Sequence, residues 1–291
     1  MDQLNVALVG YGYWGKKVYE TLKSIIPSKR ISVVEPNLKE INYNIKVKTL
    51  KSVLLDDEIS HIFIITPEET HFQIAKQCLE HNKNIFVEKP LCLTSTNAYL
   101  LQKLADERNL QIYVDYIFLH DPYVRKIKSL LDSNYLGKLT HIESVRHSIN
   151  INKPNITVFD DLAIHDIYLG KYFFGSNPKK IESIKNCIGS NQINQAYATL
   201  YYDNKKTLSS YYSWIQPKSS RKMTFIGDVS SLVWDKNKEE LFLYKEQKVI
   251  DKFTVTNNKS ALELSIRQFT SNQNKFDYFY DTKILERLKH S

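Results

Sequence analysis

The chain has 291 residues, 42% hydrophobic and 25% charged, with a formal net charge of +8. That balance describes a globular protein with length for roughly two domains, and no apolar run reaches the roughly 18–20 residues of a membrane span. Lysines are interspersed with acids and Cys78, Cys92 and Cys187 form no CxxC pair, which argues against nucleic-acid binding, a disulfide framework and a metal site.

The first predicted strand, 5–9, begins without a signal-peptide pattern ahead of it, so a soluble, cytoplasmic protein is expected. It enters Gly10-Tyr11-Gly12-Tyr13-Trp14-Gly15, a G-x-G-x-x-G turn, and a helical pattern follows with Val18, Leu22, Ile25 and Ile26 on one side. In such a turn the missing side chain of Gly12 lets a pyrophosphate approach the backbone, and the helix N-terminus turns free N–H groups toward it. A second strand, 31–35, ends in Glu35, twenty positions after Gly15. There an acid accepts hydrogen bonds from the adenosine ribose, and its charge repels a 2′-phosphate. NAD is therefore the expected cofactor.

Residues 47–55 read as a short strand and turn, and 61–65 as a strand covered on both faces. Thr66 is then a helix N-cap, with Pro67 at the first helical position. The helix runs to about residue 80, and a strand at 84–87 leads to Glu88-Lys89-Pro90-Leu91. A helix at 94–109 and a strand at 111–114 complete an alternating pattern, which implies a doubly wound parallel sheet. The glycine turn, Glu35, Thr66-Pro67 and Glu88-Lys89-Pro90 all follow strands, so they share one rim.

Past residue 120 the pattern changes, with no Gly/Ser linker. A helix at 122–134, a strand at 139–151 and a helix at 160–174 closed by Gly175 come first. Strands at 196–202, 207–214, 222–227, 231–235, 240–244 and 249–253 follow, spaced for an antiparallel sheet with hairpins. The fold class is α/β: a Rossmann domain over 1–120 and an α+β domain over 121–291 with a large, mostly antiparallel sheet.

Two groups offer chemistry. Lys89 stands on the rim, where its charge can lower the pKa of a substrate hydroxyl; the alternative is a solvated surface lysine. The Lys89–Pro90 bond is a candidate for the cis form. Asp161 and His165 are four residues apart on one helix face, so the carboxylate can orient the imidazole as a base. The alternative is an acid N-cap beside a core histidine. Arg146 and Arg221 lie on predicted strands and suit phosphate or carboxylate oxygens, unless both pair with surface acids.

These motifs, in this order, resemble the glucose–fructose oxidoreductase / inositol dehydrogenase / rhizopine catabolism family of sugar oxidoreductases. The residues that carry the resemblance are Gly10-Tyr11-Gly12-Tyr13-Trp14-Gly15, Thr66-Pro67 with His71, Glu88-Lys89-Pro90-Leu91, and Asp161-x-x-x-His165. It implies that Lys89, Asp161 and His165 form the catalytic group, with His165 the proton acceptor. It also implies that Gly10, Gly12, Tyr13, Trp14, Gly15, Glu35, Thr66, Pro67, His71, Glu88 and Lys89 border NAD; Tyr116, Arg146, Asp166 and Arg221 are the candidate substrate ligands. Phe118-Leu119-His120-Asp121-Pro122, Asp161 to Ile167, and Ser213-Trp214-Ile215-Gln216-Pro217 through Arg221-Lys222-Met223-Thr224 look like the UDP-N-acetylglucosamine and UDP-N-acetylglucosaminuronate dehydrogenases. The implied substrate is a nucleotide-linked sugar oxidised at its 3-hydroxyl, in surface-polysaccharide synthesis, by a homo-oligomer (dimer or tetramer). Reduction of a 3-keto sugar nucleotide, or a silent sugar- or cofactor-binding regulator, stays open. The segment 257–291 departs from the family pattern in being short and Asn/Lys-rich.

Overall fold

A computed structural model describes residues 4–36, 45–149, 155–271 and 278–290. The chain divides into two compact units, one of residues 1–117 with 259–282, the other of 118–258 with 283–291. Among the described residues no helix is long and apolar enough to cross a membrane.

The first unit holds six parallel strands, β1 (Asn5–Val9), β2 (Ile31–Val34), β3 (Lys46–Val47), β4 (Ile59–Ile64), β5 (Asn84–Val87) and β6 (Ile112–Val114). Their order, β3-β2-β1-β4-β5-β6, reverses direction between β1 and β4, the point at which such sheets bind nucleotides. The apolar runs of β1, β4 and β5 are fully buried at Leu8, Phe63, Ile64 and Phe86, as helices on both faces require. Those helices are α1 (Tyr13–Lys23), α2 (Leu50–Leu54), α3 (His71–Glu80) and α4 (Ser95–Glu107).

Two local expectations are corrected. The segment read as a strand and turn over 47–55 is only the end of β3 followed by α2, because Thr49 and Ser52 form a reciprocal capping box that nucleates a helix there. Thr66 does not cap a helix. A 3₁₀ turn, Glu68–Thr70, intervenes before α3, and the Thr66 hydroxyl accepts instead from Thr70 Oγ1 at 2.7 Å.

The second unit begins with α5 (Pro122–Asp132), capped by the Asp121 carboxylate, and β7 (Leu139–His147). The expected strand over 139–151 thus stops at His147, and residues 150–151 lie outside the described residues. Phe159–Ala163 forms a π-helical turn that runs into α6 (Ile164–Phe174), closed by left-handed Gly175. The strands β8 (Lys180–Asn186), β9 (Gln195–Tyr201), β10 (Thr207–Ser213), β11 (Ser220–Gly227), β12 (Ser231–Asp235), β13 (Glu240–Lys245) and β14 (Lys248–Phe253) complete an eight-stranded sheet ordered β14-β13-β12-β11-β7-β10-β9-β8. Every pair is antiparallel except β7 with β10. A parallel pair needs a crossover, and the chain from β7 to β10 supplies one that contains α6.

The expected second domain over 121–291 is interrupted, because residues 259–282 belong to the first unit. The chain returns there as α7 (Ala261–Thr270), and α8 (Tyr278–His290) follows. Sequence reading assigned no element to either. Leu262, Ile266 and Phe269, spaced four and three apart, are buried in the first unit's core with Val6, Leu8, Phe63 and Phe86. The Phe269 ring stands 5.3 Å from Phe63 and 5.7 Å from Phe86.

Candidate active site

In the first unit, the rim at the strand C-termini gathers the residues expected there. Gly10 has φ +96°, and a Cβ on it would collide with the Ile65 carbonyl, so only glycine fits where β1 and β4 adjoin. At Gly12 a Cβ would meet nothing within 4 Å. Gly12 is the N-cap of α1, so open space lies before a helix N-terminus, and an anion fits it. Glu35 follows β2 and its carboxylate accepts from the Tyr11 amide at 2.9 Å, which fixes the acid beside the glycine turn. These three features fit a dinucleotide.

Tyr13 is exposed and Trp14 half-buried, and Lys17 Nζ lies 4.5 Å and 5.4 Å from their ring centroids. Trp14 also lines a cavity of about 570 Å³ with Lys16, Lys17, Ile117 and Leu262. Glycine rim residues are not among its walls.

His71 is not at the surface of the rim. It is fully buried, with Nε2 at 2.9 Å from the Thr66 carbonyl and Nδ1 at 2.8 Å from that of Pro90. It therefore ties the turn after β4 to the turn after β5, and the expectation that it contacts NAD is corrected to a strut beneath the two turns. Burial holds the imidazole below its ordinary pKa, against the raising pull of both carbonyls. The Lys89–Pro90 peptide it braces is cis, as the sequence suggested. Glu88 and Lys89 are half-buried beside it. Tyr116 is buried, and its hydroxyl donates to Asp281 Oδ2 at 3.0 Å. That bond anchors α8, which corrects its expected place among substrate ligands.

In the second unit, the π-helical turn and α6 carry the expected catalytic pair. A π-turn adds a residue to the helical ladder, and such turns are frequent at functional sites. Asp161 accepts from the Trp214 indole at 3.2 Å. His165 is half-buried, with Nδ1 at 2.9 Å from the Tyr168 hydroxyl and its ring edge-on to Phe118 at 4.9 Å. With the proton on Nδ1, Tyr168 accepts it and Nε2 keeps a lone pair, which is the form a base requires. Sequence reasoning missed Tyr168, and it named Trp214 only within a motif, without its bond to Asp161. Tyr168 was legible as the next residue along the His165 face, at i+3.

Arg146 and Asp166 are corrected. Both are buried, and Arg146 Nε donates to Asp166 Oδ1 at 2.6 Å. Ser210 Oγ donates to the other carboxylate oxygen at 3.0 Å, and the guanidinium lies 5.1 Å from the Phe118 ring centroid. The pair is an internal ion pair, so neither group is offered to a substrate. Arg221 differs. It stands directly opposite Arg146 in the β11–β7 register, and its side chain is exposed, with no acid at ion-pair distance among the described residues. Desolvation by burial and then the Arg146 charge lower its pKa, with Asp161 opposing; a guanidinium stays charged regardless. A cation held beside a second cation suits an incoming anion. Asp160 is structural: it accepts from the Thr157 amide and hydroxyl and pairs with Lys289 at 2.9 Å.

Residues 4–116 match the family model described as an oxidoreductase family with NAD-binding Rossmann fold (Gfo/Idh/MocA), and residues 124–233 match the Gfo/Idh/MocA C-terminal domain. An oxidoreductase of Formosa agariphila is 30% identical over half of this chain and 48% of its own length. Inositol 2-dehydrogenase 2 of Mycolicibacterium vanbaalenii is 26% identical over 64% of this chain and 57% of its own. The match thus spans about half the length of these first relatives. UDP-N-acetylglucosamine 3-dehydrogenase of Acidithiobacillus ferrooxidans is 22% identical over 77% of this chain and 71% of its own. A solved structure of that enzyme superposes with TM-score 0.85 at 20% identity, covering 100% of this chain and 97% of its own, which shows a shared fold.

Proposed function

The chain belongs to the Gfo/Idh/MocA family of NAD-binding oxidoreductases, and on that premise we propose that it oxidises a ring hydroxyl, at C3, of a UDP-N-acetylhexosamine or its uronate in surface-polysaccharide synthesis. Hydride transfer is the chemistry that a bound NAD supplies. The chain's own residues supply the rest. Glu35 takes the ribose hydroxyls, and the open turn at Gly12 with the α1 N-terminus takes the pyrophosphate. Lys89 polarises the reacting hydroxyl, and His165 takes its proton at Nε2, with Tyr168 holding Nδ1. Asp161, held by Trp214, contributes the negative charge that favours the imidazolium. The same residues serve the reverse reduction.

The observation that carries the substrate class is Arg221, an exposed guanidinium opposite a buried one, with no acid at ion-pair distance among the described residues. A neutral cyclitol leaves that charge unused, whereas a diphosphate or a uronate engages it. Turnover of UDP-N-acetylglucosamine, its uronate, free N-acetylglucosamine and myo-inositol should therefore favour the charged nucleotide sugars. Arg221→Ala should mainly raise KM, by about tenfold or more, as loss of uniform binding does. Free sugar or inositol turning over as well as the nucleotide forms sinks the reading.

The cofactor choice is separately testable. Glu35 should make the protein bind NAD more tightly than NADP by about tenfold or more, near 1.4 kcal/mol, and Glu35→Ala should narrow the gap. Calorimetric titrations of the unmodified protein that give equal affinities count against Glu35 as the ribose ligand.

A further inference from the structure

Beside Lys89 the rim holds a second acid that the proposed reaction does not use. In the β5–β6 register Val87 lies opposite Val114, and the Asp115 amide continues the ladder by donating to the Val87 carbonyl at 2.9 Å. Glu88 and Asp115 are therefore neighbours at the ends of adjacent parallel strands. Asp115 is only 1% exposed. Its Oδ1 accepts from Ser265 Oγ at 2.7 Å, while Oδ2 is buried with no hydrogen-bond partner. A buried carboxylate oxygen left unsatisfied is costly while it is charged, and a proton held at this place, on Asp115 or on its neighbour, reduces that cost.

We propose that Glu88 and Asp115 act as one acid pair that holds a single proton at neutral pH and positions Lys89 by opposing its ammonium with one negative charge. Two carboxyls in one desolvated place cannot both ionise cheaply. Burial pushes Glu88 up from its ordinary value, Asp115 pushes it further, and Lys89 pulls it back. Burial likewise raises Asp115, with Ser265 opposing. Among the described residues, the charged groups acting on the pair are Lys89 on the same turn and Glu68 from the turn after β4, and α7 contributes the Ser265 hydroxyl. Glu88 is thus a positioning residue, and α7 reaches the rim through Asp115.

The functional half of this inference rests on Lys89 bordering the nicotinamide; the proton-sharing half does not. The test is a pH titration of the intact protein labelled with ¹³C at Asp and Glu carboxyl carbons, followed by NMR. Two carboxyls should titrate above the ordinary value of about 4. Glu88→Gln should remove one of them, and Asp115→Asn should bring the Glu88 titration part of the way down. NAD affinity, measured over the same range, should weaken several-fold as the second charge appears, and Glu88→Gln should abolish that limb. Both carboxyls titrating near 4 in the unmodified protein overturns the pair, as does a Glu88 titration that Asp115→Asn leaves in place. A pair that titrates as stated while NAD affinity shows no such limb overturns its action at the cofactor rim and spares the pair.

Discussion

Replacing His165 with Asn should lower turnover by about 10²–10⁴-fold while NAD binding stays as it was. Asn keeps most of the shape of the ring and can still meet the Tyr168 hydroxyl, which lies 2.9 Å from Nδ1, but it offers no titrating lone pair. The edge-on contact with Phe118 is weak enough that folding should survive its loss. Steady-state kinetics beside calorimetry of NAD binding separate the two effects. Near-normal turnover in the variant removes His165 from the chemistry and shifts the base assignment elsewhere.

Cutting the buried ion pair should be the most damaging change to stability. Arg146→Ala leaves Asp166 charged in a setting where its side chain has no exposure, with the neutral hydroxyls of Ser210 and Tyr212 in place of a cation. Removing one partner of a buried pair costs about 3–5 kcal/mol. The double variant Arg146→Met with Asp166→Leu should recover much of that loss, since hydrophobic replacement of a whole buried pair is often neutral. Denaturant midpoints of the single and double variants measure both. A stable Arg146→Ala protein with a raised KM restores Arg146 to the substrate ligands.

The rim of the first unit was legible because its parts follow strands whose apolar runs are continuous, and because the glycine spacing and Glu35 are local features. Arg146 shows what was lost and why. Burial in β7 alternates, with Ile142, Ser144 and Arg146 on the inner face, so the phase of Ile142 already placed Arg146 inside. A buried guanidinium demands an acid, and Asp166 was at hand, but nothing local shows that α6 lies over β7. The β7–β10 pairing escaped for the same kind of reason: parallel neighbours are set by a long crossover, not by a hairpin turn. In 257–291 the abundance of Asn and Lys obscured the four-and-three spacing of Leu262, Ile266 and Phe269. His71 was recognised by its place in a motif, which carries no information about which way an imidazole faces.

The return of α7 into the first core governs how this protein can be made. A ribosome has finished β1 to β6 long before residues 261–270 emerge, yet Phe63 and Phe86 pack against Phe269, and Asp115 is held by Ser265. The nucleotide-binding half therefore waits, with an apolar groove uncovered, through synthesis of the whole second sheet. Nascent chains with such surfaces are the ones that engage chaperones. A fragment ending at residue 120 never receives its last helix, so expressing the cofactor half alone means supplying 259–282 as well, fused or in trans.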